Sequence, residues 1–110
     1  MRQFTTPEQT AKLIELGFAE PKMAAPVLKW VDGEPTFVPQ YTIGELIEML
    51  PLRITGNYGI WYYFSVFAHQ TYWRVAYTDD NEIPLIDSES VHLIDALYDM
   101  AVTLKEEGVI

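Results

Sequence analysis

The chain has 110 residues, 49% of them hydrophobic, no cysteine, and a net charge of −9. That length suits one domain, and a chain of this size can bury a core without staples. The absence of cysteine excludes disulfides, thiolate nucleophiles and cysteine zinc sites. The acid excess argues against direct binding to a phosphate backbone, which needs clustered Lys and Arg.

The charge is unevenly placed. Up to Thr78 seven acids face six bases, whereas from Asp79 onward nine acids face Lys105 alone. This acidic third reads as a solvated surface that aids solubility. The alternative is an acidic inhibitor that imitates nucleic acid. No apolar stretch exceeds residues 60–68, far short of a membrane span. The segment behind Met1 has no apolar run, so no signal peptide is expected. A cytoplasmic protein with no membrane contact is the expectation.

Thr6-Pro7-Glu8-Gln9 predicts a helix start: Thr6 caps, Pro7 suits the first turn and Gln9 completes a capping box. Gly17 stops this helix, and Ala11, Leu13, Ile14 and Leu16 are its expected buried side. Pro21 and Pro26 bracket a connection. Residues 27–31 and 34–38 form a hairpin about Asp32-Gly33, a pair that tolerates positive φ. Its register pairs Val27 with Val38 and puts Leu28, Trp30 and Phe37 on one face. Pro35 and Pro39 donate no ladder bonds, so the hairpin is expected at a sheet edge.

Thr42-Ile43-Gly44-Glu45 is a second capping box, with Tyr41 and Leu46 placed as a staple. Ile43, Leu46, Ile47 and Leu50 follow helical spacing, and Pro51 ends the helix. Residues 52–56, 60–68 and 71–78 then predict a three-stranded meander. A three-residue loop with Gly59 left-handed pairs Ile54 with Tyr62 and Leu52 with Phe64. A two-residue turn at His69-Gln70 would pair Val66 with Trp73, Phe64 with Val75 and Tyr62 with Tyr77. One face is then apolar: Leu52, Ile54, Tyr62, Phe64, Val66, Trp73, Val75 and Tyr77. Residues 79–89 read as an irregular acidic loop. A long helix from about Ser90 to Glu107 carries a stripe of Ile94, Leu97, Tyr98, Ala101 and Leu104, widened by Leu93 and Met100. It is expected to pack on the Leu52/Ile54/Phe64/Val75 face. Residues 1–110 thus read as a single α+β domain: a mainly antiparallel sheet (edge hairpin plus meander) with three helices.

Catalytic constellations are sparse. His92 and Asp95 make a weak metal pair and read instead as a helical ion pair. Ser88 near His92 lacks an orienting acid and reads as a helix-start residue. Asp79, Asp80, Asn81 and Glu82 lack the alternation and glycine of a calcium loop and read as a polar turn. Asp95 and Asp99 fall on an outer helix face, which does not suit acid–base work. No catalytic, cofactor or metal residue is therefore assigned. The candidate interaction face is the meander's second side, where Trp61, Tyr63, Phe67 and Tyr72 stand with Arg53, Thr55, Ser65 and Arg74. Aromatics with arginine are the usual composition of binding hot spots. The competing reading is that helices or the hairpin cover this side as a second core.

Three segments together resemble a family of small uncharacterised proteins from gut bacteria and their phages or mobile elements. They are Phe4-Thr5-Thr6-Pro7-Glu8-Gln9-Thr10 running into Leu13-Ile14-Glu15-Leu16-Gly17-Phe18, then residues 41–51, then Leu104-Lys105-Glu106-Glu107-Gly108. The resemblance spans the chain and implies a fold but no activity. The expected function is a non-enzymatic protein-interaction domain, an accessory protein of a phage or mobile element. It would contact a second copy in a homodimer or an unknown host protein.

Overall fold

The computed structural model of the protein describes residues 3–22, 27–38 and 40–110. Their order is α1 (Pro7–Glu15), β1 (Val27–Val31), β2 (Glu34–Val38), α2 (Ile43–Met49), β3 (Arg53–Thr55), β4 (Trp61–Ala68), β5 (Trp73–Thr78), β6 (Pro84–Ser90) and α3 (Leu93–Glu106). The fold is α+β: β3-β4-β5-β6 form one antiparallel sheet, and α3 packs against β5, β6 and α2.

Both capping boxes are present. Thr6 Oγ1 accepts the Gln9 N–H while Gln9 Oε1 accepts the Thr6 N–H, and Thr42 and Glu45 repeat the arrangement. Each ties up two of the backbone donors that a helix start leaves unpaired. The buried side of α1 differs from the expected one. Thr10 and Leu13 are buried, whereas Ala11 and Ile14 are exposed. A hydroxyl chain turns the helix this way. Thr10 Oγ1 lies 2.7 Å from Thr5 Oγ1, which accepts the Tyr41 N–H at 3.0 Å. Thr5 and Tyr41 are themselves buried, so α1 is laced to the start of α2. Across the core, Gln9 Nε2 donates to Asp95 Oδ1 at 2.7 Å.

The hairpin has the expected register, Val27 opposite Val38 and Leu28 opposite Phe37, with Asp32 and Gly33 both at positive φ. It forms its own two-stranded sheet and does not edge the larger one. The expected shared side of Leu28, Trp30 and Phe37, and the roles expected of Pro26 and Pro39, lie outside the described residues.

In the larger sheet Ile54 stands opposite Tyr62, and Gly59 is left-handed at φ 72. The β4–β5 register is two residues away from the expected one: Val66 pairs with Val75, Phe64 with Tyr77 and Ala68 with Trp73. The turn is longer than two residues, closed by the His69 N–H donating to the Tyr72 carbonyl at 2.9 Å. A two-residue hairpin turn needs positive φ, which neither His69 nor Gln70 adopts. Because side chains alternate with period two, an even shift keeps each strand's faces intact.

Residues 84–89, expected as loop, and Ser90, expected as the helix start, are strand β6, paired Trp73–Ser90, Val75–Ser88 and Tyr77–Ile86. Pro84 sits at its first position, where a missing N–H is tolerated. Ser88 therefore lies in a strand, and its hydroxyl donates to the Ala96 carbonyl of α3 at 2.6 Å. The helix begins at Leu93 with His92 as its uncapped N-cap, later than expected. The sheet curls. A Cβ placed on Gly56, just past β3, would meet the Tyr62 ring and come within 3.3 Å of Leu85 on β6, at the opposite edge.

The core is where the apolar stripe predicted it. Ile54, Val75 and Tyr77 meet Leu93, Ile94, Ala96, Leu97, Met100, Ala101 and Leu104, with Leu13, Tyr41, Leu46 and Leu50 completing it. Burying each large aliphatic chain contributes about 1.5–3 kcal/mol. Leu52, 81% exposed beyond the start of β3, and Val66, 38% exposed, are the exceptions. Tyr77 is fully buried and donates its hydroxyl to the Pro51 carbonyl at 2.7 Å; burial pushes its pKa up. Among the described residues no helix is long and apolar enough to cross a membrane.

Candidate interaction face

The second side of the sheet brings together seven of the eight residues that the sequence placed there, Tyr72 being the exception. Arg53 pairs with Tyr63, Thr55 with Trp61 and Phe67 with Arg74. The guanidinium of Arg53 lies over the Trp61 ring, 4.2 Å from its centroid, and that of Arg74 lies 5.5 Å from the Phe67 centroid. Such stacks hold a flexible cation against a flat surface. Arg74 is also held by Asp87 of β6, with Nε 3.0 Å from Oδ2. The longer turn produces this arrangement, since it sets Arg74 across from Phe67. Tyr72 falls in the turn, outside the strands, where its ring stacks on His69 with centroids 4.4 Å apart.

Between the large side chains the floor is small and closed. Ala76 and Thr78 are buried, and Thr78 Oγ1 lies 3.0 Å from Ser65 Oγ. Trp61 and Tyr63 rise from this floor, 43% and 42% exposed. The strands that α3 packs on are chiefly β5 and β6, where the buried Val75 and Tyr77 join its core stripe. Trp61 and Tyr63 are thus partly open to solvent on the side of the sheet away from Val75 and Tyr77.

Beside these rings the chain turns back through Asp79, Asp80 and Asn81. Asp79 Oδ1 accepts the N–H groups of Asn81 and Ile83, both at 2.9 Å, and Glu82 takes φ 60 to complete the reversal into β6. A cavity of about 380 Å³ opens between Ile60, Trp61, Tyr63 and this turn. Sequence reasoning missed it. In the observed register Thr78 stands opposite Tyr63, so the acids that follow come level with Trp61. In the expected register Thr78 would have stood opposite Trp61, with the acids beyond the sheet.

Residues of the remaining constellations have partners within the fold. Asp95 takes the Gln9 amide, Ser88 holds α3 to β6, and the row of acids from Asp79 to Glu82 is a turn. Burial, and then the charge of Asp95, hold the Asp99 carboxyl above the ordinary carboxylate range. Among the described residues no group of three or more His, Cys, Asp or Glu is placed to hold a metal. A second cavity, about 410 Å³, lies between Ala19, Glu20, Lys22 and α2, lined by Tyr41, Glu45, Glu48 and Met49. Glu45 is already engaged there by the Thr42 and Lys22 N–H groups, and Tyr41 donates to the Ala19 carbonyl. Comparison with protein-family models, with curated proteins and with solved structures finds no match.

Proposed function

We propose that the protein is a non-enzymatic interaction domain whose contact surface is the open side of the four-stranded sheet. One observation carries this reading: Trp61 and Tyr63 stand about two-fifths exposed on a rigid sheet, beside arginines stacked on aromatic rings. Large rigid aromatics bury much area on binding at a small entropic cost, which makes them the anchors of interfaces. An accessory protein of a phage or mobile element, as the sequence resemblance implies, would act through such a contact.

Of the two partners considered from the sequence, another protein is preferred to a second copy. Face-to-face pairing of two chains, each at −9, would bring the acids that rim this side together. Asp79, Asp80, Asp87 and Glu89 supply that rim, and like charges across an interface are costly.

The test is the Trp61→Ala/Phe67→Ala double variant. It is expected to keep the far-ultraviolet spectrum and cooperative unfolding of the parent, because both rings lie opposite the core. Loss of folding would make this side a second core and end the proposal. Sedimentation of the parent across concentration separates the partners. A monomer is expected, and a dimer that the variant abolishes would assign the face to self-association.

A further inference from the structure

We propose that the cavity between Trp61, Tyr63 and the acidic turn receives an arginine side chain from a basic segment of the partner protein. This rests on the reading of the open sheet side as a contact surface and adds the chemistry of what it contacts.

Three features of the lining select a cation. Aromatic faces carry negative quadrupole density and attract a positive group placed over them. Asp79 and Asp80, both acidic, line the same cavity. The Asp79 side chain is fixed before any ligand arrives, because its Oδ1 holds two backbone N–H groups. Among the described residues its Oδ2 has no hydrogen-bond partner, so an acceptor is set in place at no further ordering cost. At about 380 Å³ the cavity is at the small end of ligand pockets. It lies on an open sheet, which suits a side chain of a polypeptide crossing that surface.

The geometry favours guanidinium over ammonium. A planar guanidinium stacks flat on indole and phenol rings while its edge donates to carboxylates; a lysine ammonium is a hydrated point charge. The Trp61 ring already takes one guanidinium, that of Arg53, 4.2 Å from its centroid. A second copy is a poor donor. It carries a net charge of −9, and two of its three arginines are engaged within their own chain, Arg53 by Trp61 and Arg74 by Asp87. The occupant is therefore assigned to a different, basic protein, drawn in by the acidic surface around the cavity.

The test uses a twelve-residue peptide of alternating Arg and Gly, titrated into the isotope-labelled full chain at low salt and followed by amide and indole shifts. The expected response is concentrated at the Trp61 indole, Tyr63 and residues 79–81. The Asp79→Asn/Asp80→Asn variant, which keeps the acceptor oxygen that builds the turn, should bind at least tenfold more weakly. A Lys–Gly peptide of equal charge should bind several-fold more weakly. Glu106→Gln/Glu107→Gln, which removes the same charge at the end of α3, should change affinity less than twofold. Shifts spread over the acidic surface, equal losses from the two charge pairs, or equal binding of the lysine peptide would each overturn the proposal. Absence of binding while Trp61→Ala/Phe67→Ala still folds defeats the arginine cavity alone. Unfolding of that double variant defeats the contact surface itself.

Discussion

Two single atoms govern how the core is closed. The Tyr77 hydroxyl is buried with its ring and is satisfied by the Pro51 carbonyl, which anchors the end of α2 to the middle of the sheet. Tyr77→Phe removes the donor and keeps the ring, so the loss should be about 1 kcal/mol, read from denaturant midpoints at constant slope. Gly56 is needed for a different reason. Its φ is not positive, but the Tyr62 ring occupies the place of a Cβ. That ring packs against the core, so it cannot swing away freely. Gly56→Ala should cost about 1–3 kcal/mol by forcing ring and strand apart. An alanine variant as stable as the parent would show that Tyr62 repacks without strain.

At the scale of elements, α3 is where the sequence was most legible. Its apolar positions recur at helical spacing, and Leu97 is fully buried, so Leu97→Ala should cost about 2–5 kcal/mol in the same measurement. The exposed side of α3 makes a pH prediction. Partial desolvation and the neighbouring Asp95 raise the Asp99 pKa, so the folded chain holds that proton more tightly than the unfolded chain does. Its contribution is full below the ordinary carboxylate pKa of about 3.9 and is lost as pH rises through that value toward the higher folded one. Asp99→Asn should therefore raise the unfolding midpoint slightly at pH 7 and leave it unchanged at pH 3. A lower midpoint at pH 7 would contradict this. The strands were legible in face, and the β1–β2 and β3–β4 pairings in register as well, but the β4–β5 register was not. Period-two alternation sorted Val75 and Tyr77 from Arg74 whatever the turn length, whereas pairing depended on a turn whose residues carry no glycine signal. Strand β6 escaped because Pro84, Asp87, Ser88 and Glu89 have weak strand propensity. Its trace was the alternation of Ile86, Ser88 and Ser90 with Asp87 and Glu89. On α1 a threonine took the buried position expected of alanine or isoleucine, a choice made by hydroxyl pairing with Thr5. The candidate face was legible as a list of residues. The cavity beside it was not, because it exists only in the observed register.

For the whole molecule, charge placement sets a cost that packing must offset. The nine acids from Asp79 onward lie in the β5–β6 turn, β6, α3 and the residue after it, and α3 packs directly on β6. Folding brings them together, with Lys105 the lone base of that stretch and drawn toward the Phe18 ring at 5.6 Å. Among the described residues the ion pair of this region is Arg74 with Asp87, partly exposed and worth about 1 kcal/mol or less. Repulsion among the acids therefore outweighs attraction over this part of the surface. Salt shortens the screening length from about 30 Å at 0.01 M to about 8 Å at 0.15 M, which weakens long-range repulsion more than it weakens a contact pair. The unfolding midpoint should thus rise by a few degrees between those salt concentrations at pH 7. At pH 3, where most carboxylates are protonated, the same change in salt should not produce that rise. A midpoint that falls with salt at pH 7 would mean that attractive contacts dominate. The acidic third would then be a stabilising network, not a surface held against its own repulsion and left open to a basic partner.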